Sequence, residues 1–124
     1  DDWARTRSAA SAALEVLSSV DINLLEGEAH SAWMSALAEI RTSLETVRGA
    51  DSIDQGRRAF DLLSQALTRV VRAFGASTSG PVYDVHCPMA FDGRGASWIQ
   101  SDDAVRNPYY GPSMLKCADK VEKL

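Results

Sequence analysis

From Trp3 to Phe74 the apolar residues fall at three- and four-residue steps, the period of helices that bury one face, and beyond Phe74 that period stops. Trp3, Ala10, Ala13, Leu14, Leu17 and Val20 mark a first helix, whose alanines let a neighbour come close. Asp21 to Gly27 interrupts it, with Asp21 and Asn23 as capping or turn residues. Ala29, Trp33, Leu37, Ile40, Leu44 and Val47 form one stripe on a second helix, from about Glu28 to Arg48, that Gly49 ends. Ser52 and Gln55 have capping-box spacing, with Asp51 as the competing cap. Ile53, Gly56, Phe60, Leu63, Leu67, Val70 and Phe74 then carry a third helix to Gly75. A glycine on a buried stripe costs about 1 kcal/mol of helix propensity, so Gly56 predicts a close helix contact. Three amphipathic helices joined by short turns predict an antiparallel bundle.

The remainder of the chain carries strand and turn signals. Gly75 to Pro81 reads as a linker, and Val82 to Cys87 as a short strand that Pro88 ends. Asp92-Gly93-Arg94-Gly95 is a turn, and Ala96 to Gln100 returns as a second strand bearing Trp98. Two strands alone are marginal, which predicts that they lie against the helices. Asn107-Pro108 and Gly111-Pro112 mark further turns, and Ser113 to Leu124 is predicted to be a final helix with Pro112 near its start. The expected fold is mainly α: a helical scaffold over residues 1–75, then a hairpin, an irregular segment and a short C-terminal helix over residues 76–124, in one domain overall.

Charge and composition narrow the partners. The 124 residues carry 13 basic and 17 acidic side chains, a net charge of −4, with no basic stripe of the kind nucleic acid requires. No apolar run reaches the roughly 18 residues of a membrane span, so this segment is not expected to insert in a bilayer. Asp-Asp-Trp at the start resembles neither a signal peptide nor an initiator, which suggests processing or a longer parent protein.

The chemistry concentrates between His86 and Cys117. Both cysteines lie there, with Met89 two residues from Cys87 and Met114 three residues from Cys117. Cys87 and Met89 share one side of an extended strand while His86 faces the other, and Met114 and Cys117 share one face of a helix. Two thiolates with two thioethers suit a soft monovalent ion, Cu(I) first and Ag(I) next, and suit magnesium or calcium badly. Zn(II) is the third candidate, through Cys87, Cys117, His30 and His86, although the spacing is unlike a zinc ribbon. His30 and Met34 sit one helical turn apart at the margin of the second helix's stripe. As a structural residue His30 would be a core-edge histidine with its ring hydrogen-bonded, and Met34 a core side chain. Trp98 is a hydrophobic anchor or a cation-π face over the ion.

A set of ordered matches gives the segment a family likeness. Val82-Tyr83, His86-Cys87-Pro88-Met89-Ala90-Phe91-Asp92, Gly95, Trp98, Arg106-Asn107-Pro108-Tyr109-Tyr110-Gly111 and Met114-Leu115-Lys116-Cys117 resemble a bacterial domain of unknown function. That domain is found at the C-terminal end of periplasmic adaptor (membrane-fusion) subunits of copper/silver-type heavy-metal efflux pumps, and in small exported proteins. Leu25-Glu26-Gly27-Glu28-Ala29-His30 and Trp33-Met34 share the likeness, which runs over roughly residues 12 to 118. The resemblance implies a metal-handling domain in the periplasm or cell envelope, tied to metal resistance, with an efflux adaptor or a metallochaperone as partner. It also raises His30 as a ligand or as support for one. Family members have a helix before the one that starts near Trp3, so an apolar groove is expected here, filled by a second copy or by the parent protein.

The readings divide at the cysteines. In the first, Cys87 and Cys117 are the thiolate core of a Cu(I) site completed by Met89, Met114 or His30, for efflux, transfer or sequestration. In the alternative they form a disulfide closing a loop of about 30 residues, worth about 3 to 4 kcal/mol, in a helical interaction module of an efflux adaptor. Arg106, Asn107, Tyr109 and Tyr110 are expected to hold the loop by hydrogen bonds and stacking. An enzyme is not expected: Cys87 and His30 would supply a nucleophile and a base, with no third orienting group or oxyanion hole identifiable.

Overall fold

The computed structural model describes residues 2–76 and 80–124. Part of the linker read over Gly75 to Pro81, residues 77–79, lies outside them. The described residues are mainly helical, with three long helices and one small antiparallel sheet. It forms two compact units, Asp2–Ala66 and Leu67–Leu124, so the last two turns of the third helix belong with the sheet.

In the first unit, helix α1 (Trp3–Ser18) starts at Asp2, whose carboxylate accepts from the Arg5 N–H at 2.9 Å. After a 3₁₀ turn at Ile22–Leu24, capped by Asp21, helix α2 runs over Gly27–Gly49. Helices α1 and α2 pack on each other, and Arg7 near the start of α1 donates to the carbonyls of Arg48 and Ala50 at the end of α2. The apolar stripe of α2 is buried only in its later part, at Ile40, Leu44 and Val47. Ala29 at its beginning is exposed, and Trp33 and Leu37 are half-buried.

Helix α3 (Ile53–Phe74) opens as the sequence predicts, with the Gln55 N–H donating to the Ser52 hydroxyl at 3.2 Å. The Gln55 side chain reaches back to the N–H of Asp51 at 2.8 Å, one residue earlier than an ideal capping box. Gly75 ends the helix at φ +77°, a left-handed cap. The close contact expected at Gly56 is present: a Cβ there would stand 2.2 Å from the Trp3 ring, so only glycine accommodates that indole.

In the second unit, β1 (Tyr83–Cys87), β2 (Ala96–Gln100) and β3 (Lys120–Lys123) pair antiparallel in the order β2-β1-β3. The hairpin of β1 and β2 matches the sequence reading, and its connection carries Phe91, Asp92, Gly93 and Gly95 at positive φ. The C-terminal helix expected over Ser113–Leu124 does not form. Gly111–Met114 is a 3₁₀ turn and Lys120–Lys123 a strand. The reason lies in the ladder: β1 offers a free edge, and the N–H groups of Asp119 and Leu124 bond the carbonyls of His86 and Val82 just outside the strand pairs. A third strand thus supplies support that two strands lack.

Alternation along β1 sends Val85 and Cys87 to one face and Asp84 and His86 to the other. On the second face Arg72, from the last turns of α3, binds the carboxylates of Asp84 and Glu122, and Lys120 joins them. Lys120 first and then Arg72 hold the Glu122 carboxyl down to about 2. On the first face Trp98 and Val121 flank Val85 in register, and Tyr109 meets the Trp98 ring edge-on at 6.0 Å.

Candidate functional site: a cysteine pair

Cys87 is the last residue of the central strand and is fully buried. Cys117 follows the 3₁₀ turn and is half-buried. Their sulfurs, 30 residues apart in sequence, lie 2.9 Å from each other as free thiols. The convergence is built by local hydrogen bonds. Buried Asn107 donates from Nδ2 to the Cys117 carbonyl at 2.9 Å, and its Oδ1 accepts from the N–H groups of Tyr109 and Tyr110. Its own N–H bonds the Leu115 carbonyl, so one side chain and its backbone tie both ends of the 107–117 loop. Tyr109 donates its hydroxyl to the Ser97 carbonyl on β2, and Tyr110 donates to the Met89 carbonyl beside Cys87, both at 2.6 Å. Arg106 pairs with Asp102.

Cys87 perturbs the thiol of its neighbour. The hydrogen bond with Cys87, followed by loss of solvent, pushes the Cys117 thiol above its ordinary value, while the Met89 backbone N–H pulls the other way. Cys117 also lines an open groove of about 590 Å³ with Pro88, Pro112, Met114, Leu115, Lys116 and Ala118.

The other residues singled out in the sequence take varied positions. Met114 keeps its one-turn relation to Cys117 without a helix, because the Cys117 N–H bonds the Met114 carbonyl at 3.0 Å. Its side chain lines the groove and is 38% exposed. Met89 leaves the strand: it stands in the turn after Pro88, 51% exposed, so its placement beside Cys87 on one strand face is corrected. His86 faces away from Cys87 as expected and is held by Asp119, with Nδ1 2.7 Å from Oδ1. A Cβ on Gly95 would meet His86 Nε2 at 2.6 Å, so the ring lies against that glycine. His30 belongs to the first unit, on α2, and its Nδ1 is buried with no hydrogen-bond partner, unlike the bonded ring expected. Met34, one turn further on, is exposed rather than core. Trp98 is an anchor, 3% exposed, with its indole N–H donating to Gln100 Oε1 at 2.9 Å.

Among the described residues there is no group of three or more His, Cys, Asp or Glu side chains that could hold a metal ion. No helix among those residues is long and apolar enough to cross a membrane. Asn107, Tyr109 and Tyr110 hold the loop by hydrogen bonds as expected, whereas the Arg72–Asp84–Glu122–Lys120 cluster and β3 were not foreseen.

No curated protein matches the chain, and no solved structure matches it. Residues 1–79 match the family described as a protein of unknown function, DUF3347. The match takes in all three helices and stops before β1, so the cysteine pair lies beyond it. With well over half of its length matched, the chain belongs to the DUF3347 family, a family of unknown function.

Proposed function

We propose that this protein is a non-enzymatic carrier of a soft metal ion, Cu(I) first and Ag(I) next, with Cys87 and Cys117 as its thiolates. The observation that carries the reading is the approach of those two sulfurs to 2.9 Å from opposite ends of a 30-residue loop. Thiolates select Cu(I) over harder ions, and exposed Met114, in the groove beside Cys117, is a thioether that an arriving or departing ion meets on the surface. Met89 is a further candidate ligand, to be tested by substitution. The resemblance of the His86–Cys117 motifs supports location and partner: the periplasm or cell envelope, beside a copper/silver efflux adaptor or a metallochaperone. The short turns that join the three amphipathic helices support an antiparallel arrangement as the scaffold.

The test is a titration of the reduced protein with Cu(I) against a chromophoric chelator. One-to-one competition that Cys87→Ser and Cys117→Ser each abolish is the expected result, and absence of competition by the reduced protein overturns it.

One observation favours a second reading. An ion held by both sulfurs, at about 2.3 Å from each as in zinc thiolates, needs them further apart than 2.9 Å, and Cys87 has no exposed surface. A disulfide-stapled interaction module of the same adaptor family fits those two facts. Thiols that stay unreactive until a strong reductant is added would select it.

A further inference from the structure

The two thiols touch, yet they differ in access. Cys87 is sealed in the middle strand, with Ala96 opposite it and no exposed surface. Cys117 stands at the wall of an open groove between Pro88 and Pro112. In thiol–disulfide exchange the sulfur that a reagent reaches is attacked or attacks first, and a second thiol within bonding distance completes the reaction. Sulfurs in contact with unequal exposure therefore fix an order of events.

We propose that Cys87 and Cys117 form a redox gate on the metal site, in which Cys117 reacts first with a small disulfide of the glutathione class and Cys87 resolves from inside. The consequence for metal rests on the reading above, since sulfurs bonded to each other no longer serve as thiolate ligands. The Cys117 thiolate attacks one sulfur of the disulfide RS–SR, forming a Cys117–SR mixed disulfide and expelling RS⁻. Cys87 then loses its proton and attacks the Cys117 sulfur, forming the Cys87–Cys117 bond and expelling the second RS⁻. The two protons released by the cysteines convert both RS⁻ to RSH. Two electrons pass from the protein to the reagent; where the thiolates hold an ion in place of their protons, the ion leaves to solution with its charge and both RS⁻ take their protons from water. Asn107 fixes the backbone of Cys117 through its carbonyl, so the second step needs no rearrangement of the loop.

The experiment treats the reduced full chain with oxidised glutathione, quenches with an alkylating agent and reads intact and peptide masses. Wild type is expected to lose two hydrogens and keep no glutathione. Cys87→Ser is expected to retain one glutathione on Cys117, and Cys117→Ser to react at Cys87 at least about tenfold more slowly, because a sealed thiol reacts only through local opening. Comparable rates at the two cysteines, or wild type holding glutathione on both without an internal bond, overturn the order. Substoichiometric alkylation of wild type, in which label should reach Cys117 before Cys87, decides the same point without any variant that fails to fold. A parallel arm measures Cu(I) retention before and after oxidation. Reduced protein that takes no Cu(I) refutes the carrier reading and leaves the exchange order standing. Cu(I) binding combined with label on Cys87 first refutes the gate alone, and so does Cu(I) fully retained after the internal bond has formed.

Discussion

The helical unit and the sheet unit are held by different kinds of force. In Asp2–Ala66 the contacts repeat: small and aliphatic side chains at helical spacing, with one special fit where the Trp3 ring lies on Gly56. In Leu67–Leu124 the contacts are singular: an asparagine that ties two ends of a loop, two tyrosine hydroxyls on distant carbonyls, and an ion cluster between a helix and two strands. Repeated apolar contacts tolerate exchange of one hydrophobic residue for another, whereas a singular polar link leaves unpaired groups when it is cut. The cysteine pair is built in the second way, which makes its geometry specific and easy to break.

The contrast can be broken most severely at Asn107. Asn107→Ala removes three side-chain hydrogen bonds at a buried position and is expected to cost about 3 kcal/mol in urea unfolding, with loss of the internal disulfide yield after oxidation. Retention of both would show that the loop is held by packing instead. In the helical unit, Gly56→Val forces a branched side chain into the Trp3 ring and is expected to cost about 2 kcal/mol, while leaving oxidation of the cysteine pair unchanged. Relief of that loss in the double variant with Trp3→Ala would sharpen the assignment to this one contact. Ser52→Ala, which removes the cap on α3, is expected to lower stability by about 1 kcal/mol.

The smallest effect concerns acid. Glu122 titrates at about 2 in the folded chain, below the ordinary 4.5, so it binds its proton more readily when unfolded. Its contribution is complete above about pH 4.5 and is lost as pH falls toward 2. Comparing acid unfolding of wild type with Glu122→Gln should show less dependence on pH in the variant across that window. Equal dependence would mean that the Lys120 and Arg72 contacts do not persist in solution.

The same division explains what could be read from the sequence. Helical periodicity, the Ser52/Gln55 cap, the Gly75 terminus and the Gly56 contact were legible because each is a local pattern with one physical cause. The hairpin was legible too, since Pro88 ends its first strand and the Asp92–Gly95 turn leads into its second. Strand β3 was not. Lys-Val-Glu-Lys is four residues long, its partner lies more than 30 residues earlier, and Gly111-Pro112 imitates a helix start. Alternation placed Cys87 opposite His86 correctly, but nothing local reveals that Pro88 turns Met89 out toward solvent. Asn107's three side-chain bonds depend on a loop closure that sequence spacing does not encode.

Copper K-edge X-ray absorption on the reduced protein loaded with one equivalent of Cu(I) tests the central claim most directly. The account predicts a shell made of sulfur, with two thiolates that disappear when Cys87 or Cys117 is replaced by serine. A shell dominated by nitrogen or oxygen, or copper that stays bound identically in both serine variants, would contradict it.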